Sequence, residues 1–140
     1  MPEDKPKAII CDLDGTLALM GDRGPFEMEK CEHDTLNRPV YLMLEACRLA
    51  GYRIILVSGR FEAVREMTTE WLVRHRVIWA ALHLRADGDY RKDAIVKPEM
   101  YAREIEPQYD VVLSLDDHNQ SVECWRSLGI PCFQVAPGDF

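Results

Sequence analysis

The sequence predicts an α/β fold in which a parallel β-sheet lies between two layers of helices. Short apolar runs alternate along the chain with longer segments of helical periodicity, as in successive β-α-β units. The apolar runs are rich in β-branched residues, as expected of strands that are buried on both faces. Polar clusters follow these runs directly, where the strands of a parallel sheet carry ligand sites.

Five strands and four helices can be located in the sequence. Strands are expected at residues 7–11, 52–57, 81–84, 110–115 and 132–135. Helices are expected at residues 35–50, 62–74, 98–105 and 119–128. Gly51 and Gly129 follow two of these helices as stop signals, and Pro98 suits the first turn of the third.

A single domain is expected, because the chain has no internal repeat and no interdomain linker. Residues 1–140 form this domain, with residues 1–6 predicted as an N-terminal tail. The hydrophobic fraction of 47% is sufficient for one packed core.

The bulk composition excludes several kinds of partner. No apolar run approaches the length of a transmembrane helix, so no membrane partner is expected. The net charge of −7 argues against broad electrostatic adhesion to nucleic acid. Five cysteines without CxxC spacing favour small buried hydrophobes in a reducing cytosol, which predicts a cytoplasmic protein (in the host cytoplasm, if a phage encodes it).

Residues 17–34 interrupt the alternation of strands and helices. The segment contains glycine, proline and several charges, and it follows the first strand directly. It should therefore lie over the carboxyl end of the sheet, where open α/β sheets bind ligands. We predict a minimal cap at about residues 17–34, small enough to leave the site open to the end of a polymer.

Four polar clusters should converge at this end of the sheet. Asp12-Leu13-Asp14-Gly15-Thr16 follows the first strand and Ser58-Gly59-Arg60 follows the second. Residues 91–97 lie between the third and fourth strands, and Asp116-Asp117 follows the fourth. So many carboxylates are costly to bury together unless a cation lies among them.

Metal-assisted phosphoryl transfer is the chemistry that this set of groups suggests. Asp12 and Asp116, with Asp14 or Asp117, offer the hard oxygen ligands that Mg²⁺ prefers. The carboxylate of Asp12 can also accept a phosphoryl group as a nucleophile. Asp14, two residues further on, can act as general acid for the leaving alkoxide and then as general base for water.

Three other side chains suit the binding of a phosphate. Thr16 and Ser58 can donate hydroxyl hydrogen bonds to phosphate oxygens, and Lys97 can neutralise charge at phosphorus. A purely structural reading of Ser58 is a helix N-cap, which is compatible with phosphate binding at a helix N-terminus.

The order and spacing of these motifs resemble the haloacid dehalogenase superfamily of phosphatases over essentially the whole chain. The resemblance rests on Asp12-x-Asp14-Gly15-Thr16, on Ser58, on Lys97-Pro98 opening a helix, and on Asp116-Asp117. It implies a Rossmann-like three-layer sandwich, Mg²⁺ as cofactor and a phospho-aspartyl intermediate.

A narrower resemblance is to the 3′-phosphatase domain of phage-type polynucleotide kinase-phosphatases. It rests on Gly21-Asp-Arg23-Gly24-Pro25-Phe26, Ser58-Gly59-Arg60, Gly88-Asp-x-Arg91-Lys92-Asp93 and the ending at Gly138-Asp139-Phe140. It implies removal of a 3′ phosphate from DNA or RNA ends before ligation. By this resemblance, the residues that join the aspartates in the active site are Arg23, Arg60, Arg85, Asp93 and Lys97. Gly59 is assigned to the phosphate-binding set, and Asp117 is assigned a supporting role beside Asp93.

Several alternatives stay open at this point. A phosphatase of small metabolites or nucleotides could use the same fold, and a catalytically idle binding module is a second rival, against which intact Asp12 and Asp14 argue. The chain lacks the P-loop of a 5′-kinase, so it either acts alone or belongs to a longer parent with a kinase domain. The tryptophans are expected in the core, whereas Phe26 and Tyr90 are the better candidates for stacking on a terminal base.

Overall fold

The computed structural model describes residues 4–139 and contains one five-stranded parallel sheet and one two-stranded antiparallel ribbon. The strands are β1 (Lys7–Cys11), β2 (Ala18–Leu19), β3 (Thr35–Leu36), β4 (Arg53–Phe61), β5 (Ala81–Arg85), β6 (Asp110–Asp116) and β7 (Cys132–Gln134). The order in the sheet is β5-β4-β1-β6-β7, and every neighbouring pair is parallel. The chain therefore leaves β1 in one direction and later returns to its other side, which makes β1 the switch point of the sheet.

Four α-helices cover the sheet. They are α1 (Arg38–Leu49), α2 (Arg65–Arg74), α3 (Asp93–Met100) and α4 (Asn119–Ser127). A 3₁₀ turn, Glu62–Val64, precedes α2, and a π-helical segment, Tyr101–Ile105, continues α3. No helix of the described residues has the length and hydropathy needed to cross a bilayer.

Two hydrophobic clusters lie on opposite faces of the sheet. Successive residues of β1 alternate between them: Ile9 packs with residues of α1 and α2, whereas Ile10 packs with residues of α3 and α4. This alternation follows from the two-residue period of a strand. The predicted α/β class, with helices on both faces of a parallel sheet, is confirmed.

Two predictions about helix and strand ends are wrong. The third helix begins at Asp93 rather than at Pro98, which lies inside α3. Proline there removes one main-chain donor, and the helix goes over to π-helical geometry immediately afterwards. Strand β4 runs on to Phe61, so Ser58 lies in a strand and is not the N-cap of a helix.

The first helix is also shorter than predicted. Thr35 and Leu36 belong to β3, which pairs with β2 and closes the base of the inserted segment between them. Pro39 lies in the first turn of α1, a position that suits its missing N–H. The insertion thus leaves the domain and returns to it through one small antiparallel ribbon.

Half of the predicted N-terminal tail lies outside the described residues, namely residues 1–3, as does Phe140 at the other terminus. Lys5 donates a hydrogen bond to the main-chain carbonyl of Glu106, at 2.8 Å. The carbonyl of Pro6 accepts one from the N–H of Asp110, at 2.9 Å. Residues 5 and 6 are therefore attached to the segment that leads into β6 and to its first residue.

The register of the sheet aligns the polar clusters. Cys11 pairs with Leu115 on one side and with Leu56 on the other. Asp12 and Asp116 each come one residue after this level, and Ser58 comes two residues after it. All three therefore emerge at the same edge of the sheet.

Candidate active site

Asp12 occupies the centre of this edge and is almost fully buried. Its Oδ2 accepts a hydrogen bond from the hydroxyl of Thr16 at 3.2 Å, and its Oδ1 lies 3.3 Å from Nζ of Lys97. Burial and the neighbouring carboxylate of Asp116 raise the pKa of Asp12 well above its usual range, although Lys97 acts in the opposite direction. The structure therefore holds this carboxylate away from bulk water, between a lysine and a second carboxylate.

Lys97 projects from α3 into the same buried space. Its Nζ lies 2.9 Å from Oδ2 of Asp116 and donates to the hydroxyl of Ser121 at 3.1 Å. Burial lowers the pKa of Lys97, but the carboxylates of Asp12 and Asp116 outweigh burial and raise it overall. This cation is thus fixed beside Asp12 and stays charged at neutral pH.

Asp116 is held by four donors. Its Oδ1 accepts from the main-chain N–H groups of Asp117 and His118, and its Oδ2 accepts from Lys97 and from the indole N–H of Trp125 at 3.2 Å. The prediction of a core tryptophan at position 125 agrees with its full burial, but the indole N–H also orients a carboxylate of the site. Fixed orientation of this kind is typical of groups that support a metal ligand.

Asp117 completes a cluster of three carboxylates. Oxygen atoms of Asp12, Asp116 and Asp117 lie within 4.8 Å of one another, and all three residues are buried. Gly15 lies directly against Asp117: its φ is +83°, and a Cβ at this position would come within 2.1 Å of Oδ2 of Asp117. A glycine is therefore required for the turn that brings the Asp12–Thr16 segment against Asp117.

The chemistry of this cluster fits a divalent cation. Carboxylate oxygens are the ligands that Mg²⁺ prefers. Burial, together with the charge of Asp116, also raises the pKa of Asp117, against the effect of hydrogen bonds that include one from Thr16. Burial is the main cause of the raised pKa values of Asp12 and Asp117, and repulsion from Asp116 adds to it. A bound cation would offset both effects.

Asp14 is bound differently from the other aspartates. Its Oδ1 lies 2.7 Å from Nη2 of Arg23 and 2.7 Å from Nη2 of Arg60. The carboxylate of Asp14 does not belong to the three-carboxylate cluster found among the described residues. Its expected role as a metal ligand stays a prediction. Asp117, the alternative third ligand in the sequence analysis, is the residue that lies beside Asp12 and Asp116.

The two arginines share a second acidic partner, Asp34. Oδ1 of Asp34 lies 2.7 Å from Nε of Arg23, and its Oδ2 lies 2.9 Å from Nη2 of Arg60. A hydrogen bond to Asp34 raises the pKa of Arg23, and the charge of Asp14 raises that of Arg60 despite burial. Arg60 also donates to the hydroxyl of Thr68 at 3.0 Å. Both arginines are buried, so neither is a solvated surface residue of the kind common in loops.

Arg85 anchors the loop that follows β5. Its Nε donates to the carbonyl of Gly59 at 3.0 Å, and its Nη1 donates to the carbonyls of Asp89 and Arg91. Its Nη2 lies 2.5 Å from Oδ1 of Asp93. Gly59 is confined in this arrangement, because a Cβ there would lie 2.8 Å from Oδ1 of Asp93.

Asp93 connects this arginine with the Asp116–Asp117 loop. Its Oδ2 lies 3.4 Å from Nδ1 of His118, which directly follows Asp117. Arg91, whose direction the sequence left open, is exposed and pairs with Asp89 and Glu99. Arg91 therefore belongs to the surface, whereas Asp93 links two loops of the site.

Ser58 lies at the same edge of the sheet, and its hydroxyl oxygen accepts a hydrogen bond within its own segment. It is buried, and its Oγ accepts the main-chain N–H of Arg60 at 3.1 Å. The hydroxyl hydrogen stays available for another acceptor. Its predicted use for a phosphate oxygen is compatible with this arrangement.

Three residues of the site were missed by reasoning from the sequence. Asp34 lies at the end of the predicted cap, where an acidic residue resembles an ordinary loop charge. Ser121 and Trp125 lie on α4, where helical spacing indicates core positions. No local signal in the sequence distinguishes Asp34 from the other charged residues of this segment.

The chain is similar to known proteins over nearly its whole length. The family model for the polynucleotide kinase PNKP phosphatase domain matches residues 6–140. A protein of Autographa californica nuclear polyhedrosis virus, provisionally named a bifunctional polynucleotide kinase/RNA ligase, is 29% identical over 129 residues. The match covers 90% of this chain and 19% of the viral protein.

Among solved structures, chains of complexes that contain Pnkp1 are similar to this chain over nearly its whole length. One chain of a Pnkp1/Rnl/Hen1 complex is 46% identical with a TM-score of 0.95, covering 98% of this chain and 48% of that chain. A chain of the Pnkp1/Rnl/Hen1 RNA repair complex is also 46% identical, with a TM-score of 0.94, over 97% of this chain and 44% of its own length. A class C acid phosphatase from Bacillus anthracis with bound tungstate, at 17% identity and a TM-score of 0.69, shows likeness of fold alone over 96% of this chain and 68% of its own.

The chain spans about half the length of the matched chains in the solved complexes and about a fifth of the viral relative. The family match extends through β1–β7 and through all the aspartates and arginines described above. This chain is a member of the PNKP phosphatase-domain family within the haloacid dehalogenase superfamily.

Proposed function

We propose that this domain is a Mg²⁺-dependent polynucleotide 3′-phosphatase, which removes the 3′-terminal phosphate from DNA or RNA ends before ligation. The observation that carries the proposal is the buried group formed by Asp12, Lys97, Asp116 and Asp117 at the carboxyl edge of the sheet. Family membership over residues 6–140 supports the polynucleotide substrate. The presence of the 46%-identical relative in an RNA repair complex favours an RNA end.

In the first step, an oxygen of Asp12 attacks phosphorus while the bond between phosphorus and O3′ breaks. Asp14 enters this step as the protonated acid and gives its proton to the departing O3′, so the strand leaves with a 3′-hydroxyl, Asp12 carries the phosphoryl group and Asp14 is left as a carboxylate. Lys97, whose Nζ is 3.3 Å from Oδ1 of Asp12, stabilises negative charge on the transferred group. The hydroxyls of Thr16 and Ser58 are proposed as donors to its oxygens.

In the second step, water attacks the phosphoryl group on Asp12. Asp14 takes a proton from this water, the acyl phosphate bond breaks, and Asp12 is restored as inorganic phosphate leaves. The arginines at Asp14 hold its carboxylate close to the site between the two steps. A phosphate dianion can also compete for these guanidinium groups, since Arg binds phosphate and carboxylate in similar ways.

Mg²⁺ would be held by Asp12, Asp116 and Asp117, and when bound it would neutralise charge on the phosphoryl oxygens. We expect Mg²⁺ at 100 times its Kd to stabilise the folded protein by about 2.7 kcal/mol, or roughly 5–10 °C in Tm. Thermal unfolding with and without Mg²⁺ measures this shift. The Asp116→Asn and Asp117→Asn variants should lose it.

The Asp14→Asn variant is the matched control for metal binding. It should keep the Mg²⁺-induced shift in Tm, because its carboxylate is bound by Arg23 and Arg60 instead of by the cluster. Loss of the shift in Asp14→Asn, with retention in Asp117→Asn, would restore Asp14 as the third carboxylate ligand.

The substrate class is tested by comparing a 3′-phosphorylated oligonucleotide with a panel of sugar phosphates and free nucleotides. We expect kcat/KM for the oligonucleotide to be about 100-fold higher or more. Faster turnover of the sugar phosphates would instead favour the small-metabolite phosphatase. DNA and RNA versions of the same oligonucleotide resolve the choice between the two nucleic acids.

We further propose that the 3′-phosphatase works with a 5′-kinase activity of the same repair pathway, in the same or another chain. The kinase/ligase name of the viral relative and the complex that contains Pnkp1 support this proposal.

A cytoplasmic setting is supported by the five cysteines, all of which are free thiols.

A further inference from the structure

The two most exposed large hydrophobic side chains of the described residues are aromatic. Phe26 is 88% exposed and Tyr90 is 83% exposed. Isolated apolar side chains are ordinary on protein surfaces, so exposure alone carries little weight. These two rings differ from the other exposed hydrophobic residues because the segments that carry them contact the end of β4.

Both segments meet at Phe61, the last residue of β4. The ring of Tyr90 packs edge-on against the ring of Phe61, with centroids 5.5 Å apart. The main-chain N–H of Phe61 donates to Sδ of Met28, two residues after Phe26, at 3.4 Å. The segments that carry Phe26 and Tyr90 thus approach the end of β4 from two directions.

Each aromatic ring is also close in the chain to an arginine of the site. Phe26 comes three residues after Arg23, and Phe61 comes directly after Arg60. Tyr90 lies between two residues whose carbonyls accept hydrogen bonds from Arg85. The segments that carry these rings are therefore joined to arginines at the edge of the sheet where a terminal phosphate would be bound.

Electrostatics alone accounts poorly for the binding of a polyanion at this edge. Arg23 and Arg60 are both paired with Asp14 and Asp34, and Arg85 is paired with Asp93. The domain as a whole carries a net charge of −7. Binding of a strand must then rely on contacts that do not require excess positive charge, and base stacking on aromatic rings is such a contact.

We infer that Phe26 and Tyr90, the latter supported by Phe61, form a stacking platform for the unpaired bases next to the 3′-terminal phosphate. This inference rests on the proposed function and adds to it the part of the substrate that is recognised. Stacking is tolerant of base identity, because every base has an aromatic face. The platform therefore selects single-stranded nucleic-acid ends over small phosphate esters without selecting a sequence.

The test uses two substrates that differ only in their bases. One is a 3′-phosphorylated oligonucleotide, and the other has abasic sites at its last three nucleotides. Phe26→Ala and Tyr90→Ala should each raise KM for the first substrate by about 5- to 100-fold, the range expected for loss of one stacked base. Neither substitution should change KM for the abasic substrate, and kcat for both substrates should stay near the wild-type value.

Matched variants separate stacking from general loss of apolar surface. Tyr90→Phe keeps the ring and should behave as the wild type. Leu49→Ala removes an apolar side chain that is 76% exposed. Leu49 ends α1, which leads to the start of β4 and hence to the opposite edge of the sheet. This substitution should leave KM for both substrates unchanged.

Three results would overturn the platform. KM for the base-containing substrate could be unchanged by both alanine substitutions. The substitutions could also raise KM equally for both substrates. Alternatively, size-exclusion chromatography could show that the substitutions change the oligomeric state, which would make the rings part of a protein interface. If the wild-type protein released no phosphate from any oligonucleotide, the proposed function itself would fail, and this outcome is distinct from the other three.

Discussion

Replacing Asp12 with asparagine should reduce phosphate release by roughly 10⁴-fold or more, because Asp116, the other carboxylate beside Lys97, is already held by four donors and cannot replace the nucleophile. The substitution keeps the size of the side chain but removes the nucleophilic oxygen. Release of inorganic phosphate from a 3′-phosphorylated oligonucleotide in the presence of Mg²⁺ measures the loss. Beryllium fluoride should form an adduct on Asp12 of the wild-type protein and no adduct on the variant.

The same variant should fold at least as well as the wild type when metal is absent. A raised pKa of Asp12 in the folded protein means that folding disfavours the ionised carboxylate, so this charge lowers stability at neutral pH. Asparagine removes that penalty, and Lys97 retains its contacts with Asp116 and Ser121. Thermal unfolding without Mg²⁺ should show an unchanged or higher Tm. Undiminished phosphate release from a properly folded Asp12→Asn protein would contradict covalent catalysis at this residue.

The edge of the sheet at which these groups meet was predictable because it follows from topology. Once strands are located at the apolar runs, a parallel sheet brings the residues after them to one edge. Asp12, Ser58 and Asp116 all occupy the positions that this rule predicts, and the observed register differs among them by one residue. The exact end of a strand mattered less than its direction.

The contacts made inside the site were less predictable, because they depend on tertiary packing. Helical spacing correctly indicates that Trp125 is buried, but spacing does not reveal that its N–H reaches Asp116. Asp34 is separated from Arg60 by 26 residues, and nothing local to either residue indicates their pairing. Pro98 misled the prediction because proline suits a first helical turn, whereas here the helix already begins at Asp93.

Asp14→Asn tests the proposed acid and base, and its effect should depend on the leaving group. An alkoxide such as O3′ needs a proton to depart, so turnover of a 3′-phosphorylated end should fall by about 10²- to 10⁴-fold. Nitrophenolate departs without a proton, so transfer from p-nitrophenyl phosphate to Asp12 should be nearly normal. Hydrolysis of the phosphorylated Asp12 should then be slow, since the general base is also missing, and rapid kinetics should show a burst of one nitrophenol per protein molecule. The variant should bind substrate normally, because Arg23 and Arg60 both retain Asp34 as a partner.

Asp34→Asn is the matched control for this experiment. It alters the same pair of arginines but leaves the carboxylate of Asp14 in place. Any loss of activity in Asp34→Asn should be similar for both leaving groups, and no burst should appear. A leaving-group effect of equal size in the two variants would mean that the arrangement of the arginines, and not proton transfer by Asp14, limits departure of O3′. A burst confined to Asp14→Asn would instead assign both proton transfers to the one carboxylate that the arginines hold outside the metal cluster.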